Sequence, residues 1–319
     1  MRCVWTLPAQ PPDRAALERM RRHFPKPDEL MPEAWFLGEV LFYGWLAEKS
    51  PEELALHALE HAFLEIGTGV GYFPWTSYVP TWKAWFRYLL PYAIARAHES
   101  SILLPYVITA LMWIYPQDIT AEYEGFRDDV VAALGSQAIP QTLARDQPRP
   151  DREDIPAIND IWDFSFWFAE RPYEVLSQSL LFNLKYLRPP EIEEWAASLL
   201  RIDNAQFRLE FILWWLAYHE FSIQARDWTA GTDLNALLEH TGLLDRLYRM
   251  PPFQSLDDLI PPPNWLAFQK VLVRGLSQDT IQDWSADILS KAGYLADSLE
   301  WVLLDFEWCF LDVASKSVD

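Results

Sequence analysis

The sequence predicts an all-α protein. Apolar residues recur at the three- and four-residue spacing of helices along most of the chain. Glycine is scarce, with 11 in 319 residues, and no sustained run alternates apolar and polar residues as half-buried strands do. The 24 prolines fall mostly between the periodic segments, where they separate one predicted element from the next.

Capping residues and prolines mark where several helices begin. Ser50 and Pro51, followed by two acids, precede a periodic apolar segment, an order that suits the free N–H groups and the dipole of a helix N-terminus. Pro189 and Pro190, again followed by acids, open another helix in the same way. In chain order, the predicted helices cover residues 12–23, 33–48, 51–66, 81–98, 101–115, 119–134, 172–187, 190–202, 205–222, 231–249, 264–276, 279–291 and 293–313.

One segment is long and uncharged. From Ser100 to Gln117 there are 18 residues without a charge, which is close to the length that spans a bilayer. Acids flank the segment on both sides, and no cluster of Lys or Arg is present to fix a membrane topology. We therefore expect a central helix that is buried on all sides, and no membrane partner.

A stretch rich in Pro, Asp and Arg divides the chain. We interpret residues 136–160 as a linker between an N-terminal helical subdomain, residues 1–135, and an acidic, Trp-rich C-terminal helical subdomain, residues 161–319. The chain length agrees with this division, because domains usually contain about 100–200 residues.

The second half contains an internal repeat. Residues 187–200 and 276–289 align at a constant offset of 89. A helix-turn-helix unit that occurs twice predicts solenoid-like stacked helix pairs in this half. The identical pairs are Leu187/Leu276, Ile192/Ile281, Trp195/Trp284, Ala197/Ala286 and Leu200/Leu289.

The charge balance restricts the class of partner. The chain has 26 Lys and Arg against 46 Asp and Glu, a formal net charge of -20. Nucleic acids and anionic membranes are bound through Lys and Arg, so both are disfavoured. Residues 151–319 hold 13 basic and 28 acidic side chains, which is -15 of the total. We expect a basic protein partner that is attracted to this half at a rate that depends on ionic strength.

The cysteine content favours a reducing compartment. Cys3 and Cys309 form no spaced set, so neither a disulfide framework nor a thiolate metal cluster is predicted. The first residues lack the continuous apolar run of a signal peptide. We expect a cytoplasmic protein.

A glycine-rich segment in the first half resembles a cofactor-binding motif. Residues 63–72 read FLEIGTGVGY and resemble the first motif of the class I S-adenosylmethionine methyltransferases, in which an apolar strand ends in an acid and a Gly-x-Gly-x-Gly turn. The resemblance implies that the Gly67–Gly71 loop lies against the cofactor, because glycine permits close approach of the backbone. In the alternative interpretation, the glycines end a helix and form a flexible loop.

A second pattern suggests a metal site. His57, Glu60 and His61 have the His-x-x-Glu-His order of the inverted zinc metallopeptidases. On a helix they share one face, so the two imidazoles are candidate zinc ligands and Glu60 is the candidate base that activates a water. Glu122 or Glu124 would have to supply the third ligand. The alternative is a pair of partly exposed histidines beside an apolar stripe.

The predicted helix 293–313 has two apolar faces. At 100° per residue, the larger apolar face must be the core face. It carries Leu295, Leu299, Val302, Leu303, Phe306, Cys309 and Phe310. Between Lys291 and Lys316 no basic residue is present to pair with the acids of this helix. The opposite side carries Trp301, Leu304, Trp308 and Leu311, interleaved with Asp297, Glu300, Asp305, Glu307 and Asp312.

Two interpretations of that opposite side remain open. It packs against an adjacent helix, with the acids at its wet margins, or it is an exposed aromatic stripe rimmed by carboxylates. The second interpretation suits a partner with apolar pockets and Lys or Arg at their edges.

These observations lead to one principal hypothesis. We expect a non-catalytic protein-binding module, such as an adaptor, an inhibitor or an immunity-type protein, with an acidic, aromatic face and no cofactor. The predicted contact residues are Trp301, Trp308, Glu300, Asp305, Glu307 and Asp312. The alternatives are an enzyme that uses the Gly67–Gly71 loop or the His57, Glu60 and His61 set, and a small-molecule binder with a Trp-lined pocket.

Overall fold

A computed structural model describes residues 3–7, 9–33, 42–71, 77–100, 103–119, 122–137, 172–226, 260–292 and 296–316. These residues form α-helices joined by turns and short 3-10 helices, with no β-strand among them. Pro32 and Phe42 form an isolated β-bridge. The prediction of an all-α fold is confirmed.

Twelve α-helices lie within the described residues. Six of them belong to the first half of the chain and six to the second. In chain order they are α1 Arg14–His23, α2 Gly44–Glu48, α3 Leu56–Gly71, α4 Val79–Arg96, α5 Leu103–Ile114, α6 Phe126–Leu134, α7 Pro172–Tyr186, α8 Pro189–Leu199, α9 Ala205–Arg226, α10 Pro262–Gly275, α11 Gln278–Lys291 and α12 Ala296–Lys316.

Helix α5 lies at the centre of the first half. It packs against α3 and α4, and it also contacts α7 of the second half. All of its side chains are buried except those of Tyr106 and Thr109, which are half-buried. The prediction of a central buried helix is therefore confirmed. No helix in the described part of the chain is both long and apolar enough to cross a membrane.

The predicted helix 33–48 is wrong in its described part, where only Gly44–Glu48 is helical. The backbone N–H of Tyr43 donates to the carbonyl oxygen of Met31 at 2.8 Å. This bond pairs the chain with a preceding segment instead of closing a helical turn.

The predicted helix start at Ser50 is also wrong, because α3 begins at Leu56. The N–H of Glu53 donates to the carbonyl oxygen of Ser50 at 3.0 Å and closes a separate turn. Pro51 and Leu54 are buried in that turn, and the Arg96 guanidinium donates to the Leu54 carbonyl oxygen at 2.6 Å. Tertiary contacts thus hold this segment out of the helix that its sequence favours.

The predicted helix 119–134 begins later than expected, at Phe126. Gly125 directly precedes it with φ of 87°, a left-handed conformation that glycine adopts without steric cost. A helix cannot continue through that residue, so α6 starts after it. The predicted helix 231–249 lies outside the described residues.

The second half contains two similar three-helix units. Helices α7, α8 and α9 begin at residues 172, 189 and 205, and α10, α11 and α12 begin at 262, 278 and 296, so corresponding starts differ by 90, 89 and 91. The buried residues of the sequence repeat also correspond, since Ile192 and Ile281 are both buried, as are Trp195 and Trp284. Solenoid-like stacking of these units stays a prediction.

The described parts of the two halves share one hydrophobic core. The Arg127 guanidinium of α6 donates to Glu191 of α8 at 2.5 Å and to the carbonyl oxygen of Tyr186 at 2.8 Å. Of the predicted linker 136–160, the structure describes Ser136 and Gln137. The division into two subdomains stays a prediction.

Candidate protein-binding surface

Helix α12 separates its apolar residues into two faces, as its sequence predicts. Leu299, Leu303, Phe306 and Phe310 are buried and recur at the three- and four-residue spacing of one helix face. This face packs against α9 and α11. The ring of Trp215 in α9 lies 5.3 Å from that of Phe306 and 5.6 Å from that of Phe310.

The opposite face is exposed. Trp301 is 73% exposed, Trp308 is 74% exposed, and Leu304 between them is 50% exposed. We call these three residues the indole stripe. Two indoles seven positions apart lie two helical turns apart, about 10 Å along the axis, so the stripe is continuous. Leu311, further along the same side, is half-buried.

Acidic residues lie along both edges of the indole stripe. At 100° per residue, Asp305 and Asp312 fall on one edge, and Glu300 and Glu307 fall on the other. Glu300 and Asp305 are exposed, and neither has a hydrogen bond or an ion pair with another described residue. A basic partner can therefore pair with these two carboxylates without breaking a bond to another described residue.

The other two carboxylates already have neighbours. Glu307 accepts hydrogen bonds from the side-chain amides of Gln278 at 2.9 Å and Gln282 at 3.0 Å, which fix it against α11. Asp312 pairs with Lys316 at 2.6 Å, so Asp312 is less available than the sequence suggested. This pair is solvent-exposed and contributes little to stability.

The local field on this side of α12 is negative. Burial raises the pKa of the Cys309 thiol, and the carboxylates of Asp305 and Asp312 raise it further. The side chain of Asp297, the remaining acid of the helix, lies outside the described residues.

The residues of the zinc hypothesis do not assemble a ligand set. His57 and His61 are exposed, and the Nε2 of His61 lies 2.9 Å from the Tyr43 hydroxyl. The carboxylate of Glu60 accepts a hydrogen bond from the Ser100 hydroxyl. The same hydroxyl accepts a hydrogen bond from the backbone N–H of Leu103 at the start of α5. No group of three or more metal-ligating side chains occurs in the described part of the chain.

Of the two candidates for the third zinc ligand, Glu124 is exposed and Glu122 is bonded to other residues. Glu122 accepts a hydrogen bond from Arg87 at 2.7 Å and another from the Tyr115 hydroxyl at 2.9 Å. These bonds join α4 to the segment before α6. Among the described residues, Glu60 and Glu122 therefore have structural partners.

The glycine-rich segment is helical and does not form a turn. Gly67 and Gly69 lie inside α3, which runs to Gly71. A Cβ on Gly69 would lie 2.5 Å from the ring of Trp82, whereas a Cβ on Gly67 would lie 3.7 Å from the backbone of Ala110. The glycines permit close packing of α3 against α4 and α5. The strand and turn of the methyltransferase motif are not present in residues 63–71. In the alternative interpretation the glycines end a helix, and α3 does end at Gly71.

Tryptophans of the second half fill the core. The rings of Trp195 and Trp214 lie 5.7 Å and 6.1 Å from that of Phe268, and all three side chains are buried. The sequence does not reveal that Glu210, on the same helix as Trp214, is also buried. Burial raises its pKa well above the ordinary value, and a hydrogen bond from Gln206 lowers it by less.

No family model, curated protein or solved structure matches this chain. The indole stripe is therefore interpreted from its own chemistry.

Proposed function

We propose that this protein is a non-catalytic binding module of the cytoplasm, acting as an adaptor, an inhibitor or an immunity-type protein, and that its indole stripe contacts a basic partner protein. The observation that carries the proposal is the exposure of Trp301 and Trp308 on one helix face. Among the described residues they are the most exposed large apolar side chains.

The exposed apolar area is large enough to matter. A tryptophan side chain presents about 150–250 Å², so two indoles at these exposures leave roughly 300 Å² in contact with water. Single exposed apolar residues are normal on protein surfaces, but a contiguous patch of this size often marks a binding site. The area favours a partner that supplies apolar pockets.

The residue types of the stripe are those that dominate binding energy. Trp is enriched among the few interface residues that each contribute about 2 kcal/mol or more, and such residues cluster at the centre of an interface behind a polar rim. Trp301 and Trp308 occupy the centre of this surface, and Glu300 and Asp305 belong to its rim. The arrangement supports a protein partner more than a small molecule.

The charges of the rim support a basic partner. Bringing Lys or Arg to exposed carboxylates adds electrostatic complementarity, which increases the association rate and excludes acidic competitors. The excess of acids over bases in residues 151–319 acts in the same direction at longer range.

Affinity capture with matched variants tests this proposal. The wild-type protein, the double variant Trp301→Ala/Trp308→Ala and the control Leu266→Ala are immobilised and exposed to an extract of the source cells at low and at moderate salt. Leu266 is a suitable control because it is a 52% exposed apolar residue on a different helix, α10. We expect a basic protein to be retained by wild type and by the control, less at the higher salt, and to be lost from the double variant.

Two results of the capture experiment contradict the proposal. One is that no basic protein is retained at either salt concentration. The other is that the double variant retains the same basic protein as the wild type, because binding would then occur at a different surface.

A further inference from the structure

We infer that the element bound by the indole stripe is a basic amphipathic α-helix, which packs on α12 as α10 and α11 pack on α9. The inference rests on the proposed function and adds the structural class of the ligand. It follows from the correspondence between the two three-helix units.

The first step is the register between α9 and α12. Within these third helices the sequences LEFIL, residues 209–213, and LEWVL, residues 299–303, align at an offset of 90. At this offset Trp301, Leu304 and Trp308 correspond to Phe211, Trp214 and Tyr218. The stripe therefore occupies the positions of α9 that face the second unit.

The second step is what those positions do in α9. All three side chains are buried, and the ring of Phe211 lies 6.4 Å from that of Phe268 in α10 and 6.4 Å from that of Trp284 in α11. The ring of Tyr218 lies 4.3 Å from that of Trp265 in α10. In the first unit, this face of the third helix is a helix-packing face, whereas in the second unit the corresponding face is exposed.

The third step is the charge of the complementary helix. Where α9 meets α11, Arg208 lies 3.1 Å from Asp287 and over the ring of Trp284 at 5.4 Å. There, a base on one helix meets an acid and an indole on the other. The stripe supplies indoles and acids, so the helix that fits it carries Lys or Arg on both sides of an apolar ridge.

The length of the stripe sets the pattern of that ridge. Two turns of α12 are matched by two turns of a partner helix, with apolar residues at positions i, i+3 or i+4, and i+7. The basic residues then lie beside this ridge, opposite Glu300 and Asp305.

A second copy of this chain fits the stripe poorly. A symmetric dimer through α12 would place the same patch on both subunits. The carboxylates of Glu300 and Asp305 would then approach those of the other copy, and like charges across an interface are destabilising. The charge pattern therefore favours a basic helix of a different protein.

Designed peptides provide the probes for a direct test. The first peptide has an apolar ridge of two turns flanked by Lys. The second has the same composition in an order that abolishes the ridge, and the third has the first sequence with a central Pro that breaks the helix. Each carries a fluorescent label, and its binding to the full chain is measured by anisotropy.

We expect the first peptide to bind at low salt and to become helical in the complex by circular dichroism. We expect binding at least tenfold weaker for the second and third peptides, and for the first peptide with Trp301→Ala/Trp308→Ala. The Leu266→Ala control should bind the first peptide as wild type does.

The outcomes distinguish this inference from the proposed function. If all three peptides bind with equal affinity, the site recognises the charge of the peptide and not a helix. The inference then fails, while the proposed binding function stands. If no peptide binds, the inference fails, and the capture experiment decides the binding function separately.

Two controls identify other occupants of the stripe, and either positive result overturns the inference. A wild-type dimer in sedimentation that is lost in Trp301→Ala would assign the stripe to a second copy of the chain. A large decrease in the unfolding midpoint caused by Trp301→Ala in the free protein would assign it to another segment of the same chain.

Discussion

The rings of Trp5 and Trp195 pack edge to face, with centroids 5.4 Å apart and planes at 81°. The backbone N–H of Trp5 donates to the Ser198 hydroxyl at 2.8 Å, and its indole N–H donates to the carbonyl oxygen of Gly135 at 2.8 Å. Trp5, which precedes α1 in the chain, thus joins α8 to the end of α6. These contacts make Trp5 part of the core that the two halves share.

Replacing Trp5 should destabilise the whole fold. We expect Trp5→Ala to lower the free energy of unfolding by about 3–5 kcal/mol, as for other buried aromatics, in urea denaturation. Trp5→Phe should cost less, because it keeps most of the packing and loses the hydrogen bond to Gly135. Trp301→Ala is the matched control and should change stability by about 0.5 kcal/mol or less. A loss of about 0.5 kcal/mol or less for Trp5→Ala would show that Trp5 is not a core residue.

The two glycines of α3 should respond in opposite directions to alanine. Gly69→Ala should destabilise by about 1–3 kcal/mol, because its Cβ meets the ring of Trp82, which is held by a hydrogen bond from its indole N–H to the carbonyl oxygen of Pro32 at 2.9 Å. Gly67→Ala meets only ordinary contacts and should stabilise the helix by about 0.5–1 kcal/mol. Thermal and urea unfolding of both variants measure this difference. A similar loss for both would contradict the assignment of Gly67 and Gly69 to a packed helix.

The buried Glu210 should make stability fall as pH rises. Burial raises its pKa in the folded state, so the folded protein holds this proton where the unfolded chain has released it. The contribution of Glu210 to the free energy of unfolding is therefore fully present below the ordinary pKa of about 4.3, and it declines as pH rises above that value. Glu210→Gln should reduce this decline, measured as the free energy of unfolding between pH 5 and pH 8. Parallel profiles for wild type and Glu210→Gln would contradict the burial of this carboxyl group.

The faces of the helices follow from the sequence more closely than their ends. The spacing of apolar residues correctly predicts that Leu299 and Phe306 are buried while Trp301 and Trp308 lie on the opposite side. That pattern depends on helical geometry alone. Whether the opposite side is covered depends on which helices are neighbours, and local spacing does not contain that information.

Tertiary contacts account for several of the differences between the predicted and the observed structure. Ser50 is a favourable N-cap, but no helix begins there, because Pro51 is buried in a separate turn and Arg96 binds the Leu54 carbonyl oxygen. Gly69 belongs to a local pattern typical of a cofactor turn. Glycine is required there because the ring of Trp82, from α4, occupies the space that a Cβ would fill. The burial of Glu210 could not be predicted either, because a single acid within an apolar helix does not show in the sequence whether it is buried.

Reversing the rim charges should slow the binding of the basic amphipathic peptide. We expect Glu300→Lys/Asp305→Lys to reduce its association rate about tenfold at low salt and to flatten the dependence of that rate on ionic strength. Stopped-flow anisotropy measures both quantities. Glu193→Lys/Glu194→Lys, which reverses two exposed acids of α8, is the control for the same change in total charge. An equal effect of this control would show that the association rate depends on the net charge and not on the position of the rim acids.

Site-specific photo-crosslinking in the source cells tests the central claim most directly. A photoreactive phenylalanine analogue is placed at position 301, at position 308, or at the control position 266, and the crosslinked products are identified by mass spectrometry. We expect positions 301 and 308 to capture the same basic protein, through a basic helical segment, and position 266 not to capture it. Products that are the same at all three positions, or that contain only a second copy of this chain, would contradict the assignment of the indole stripe to a basic partner.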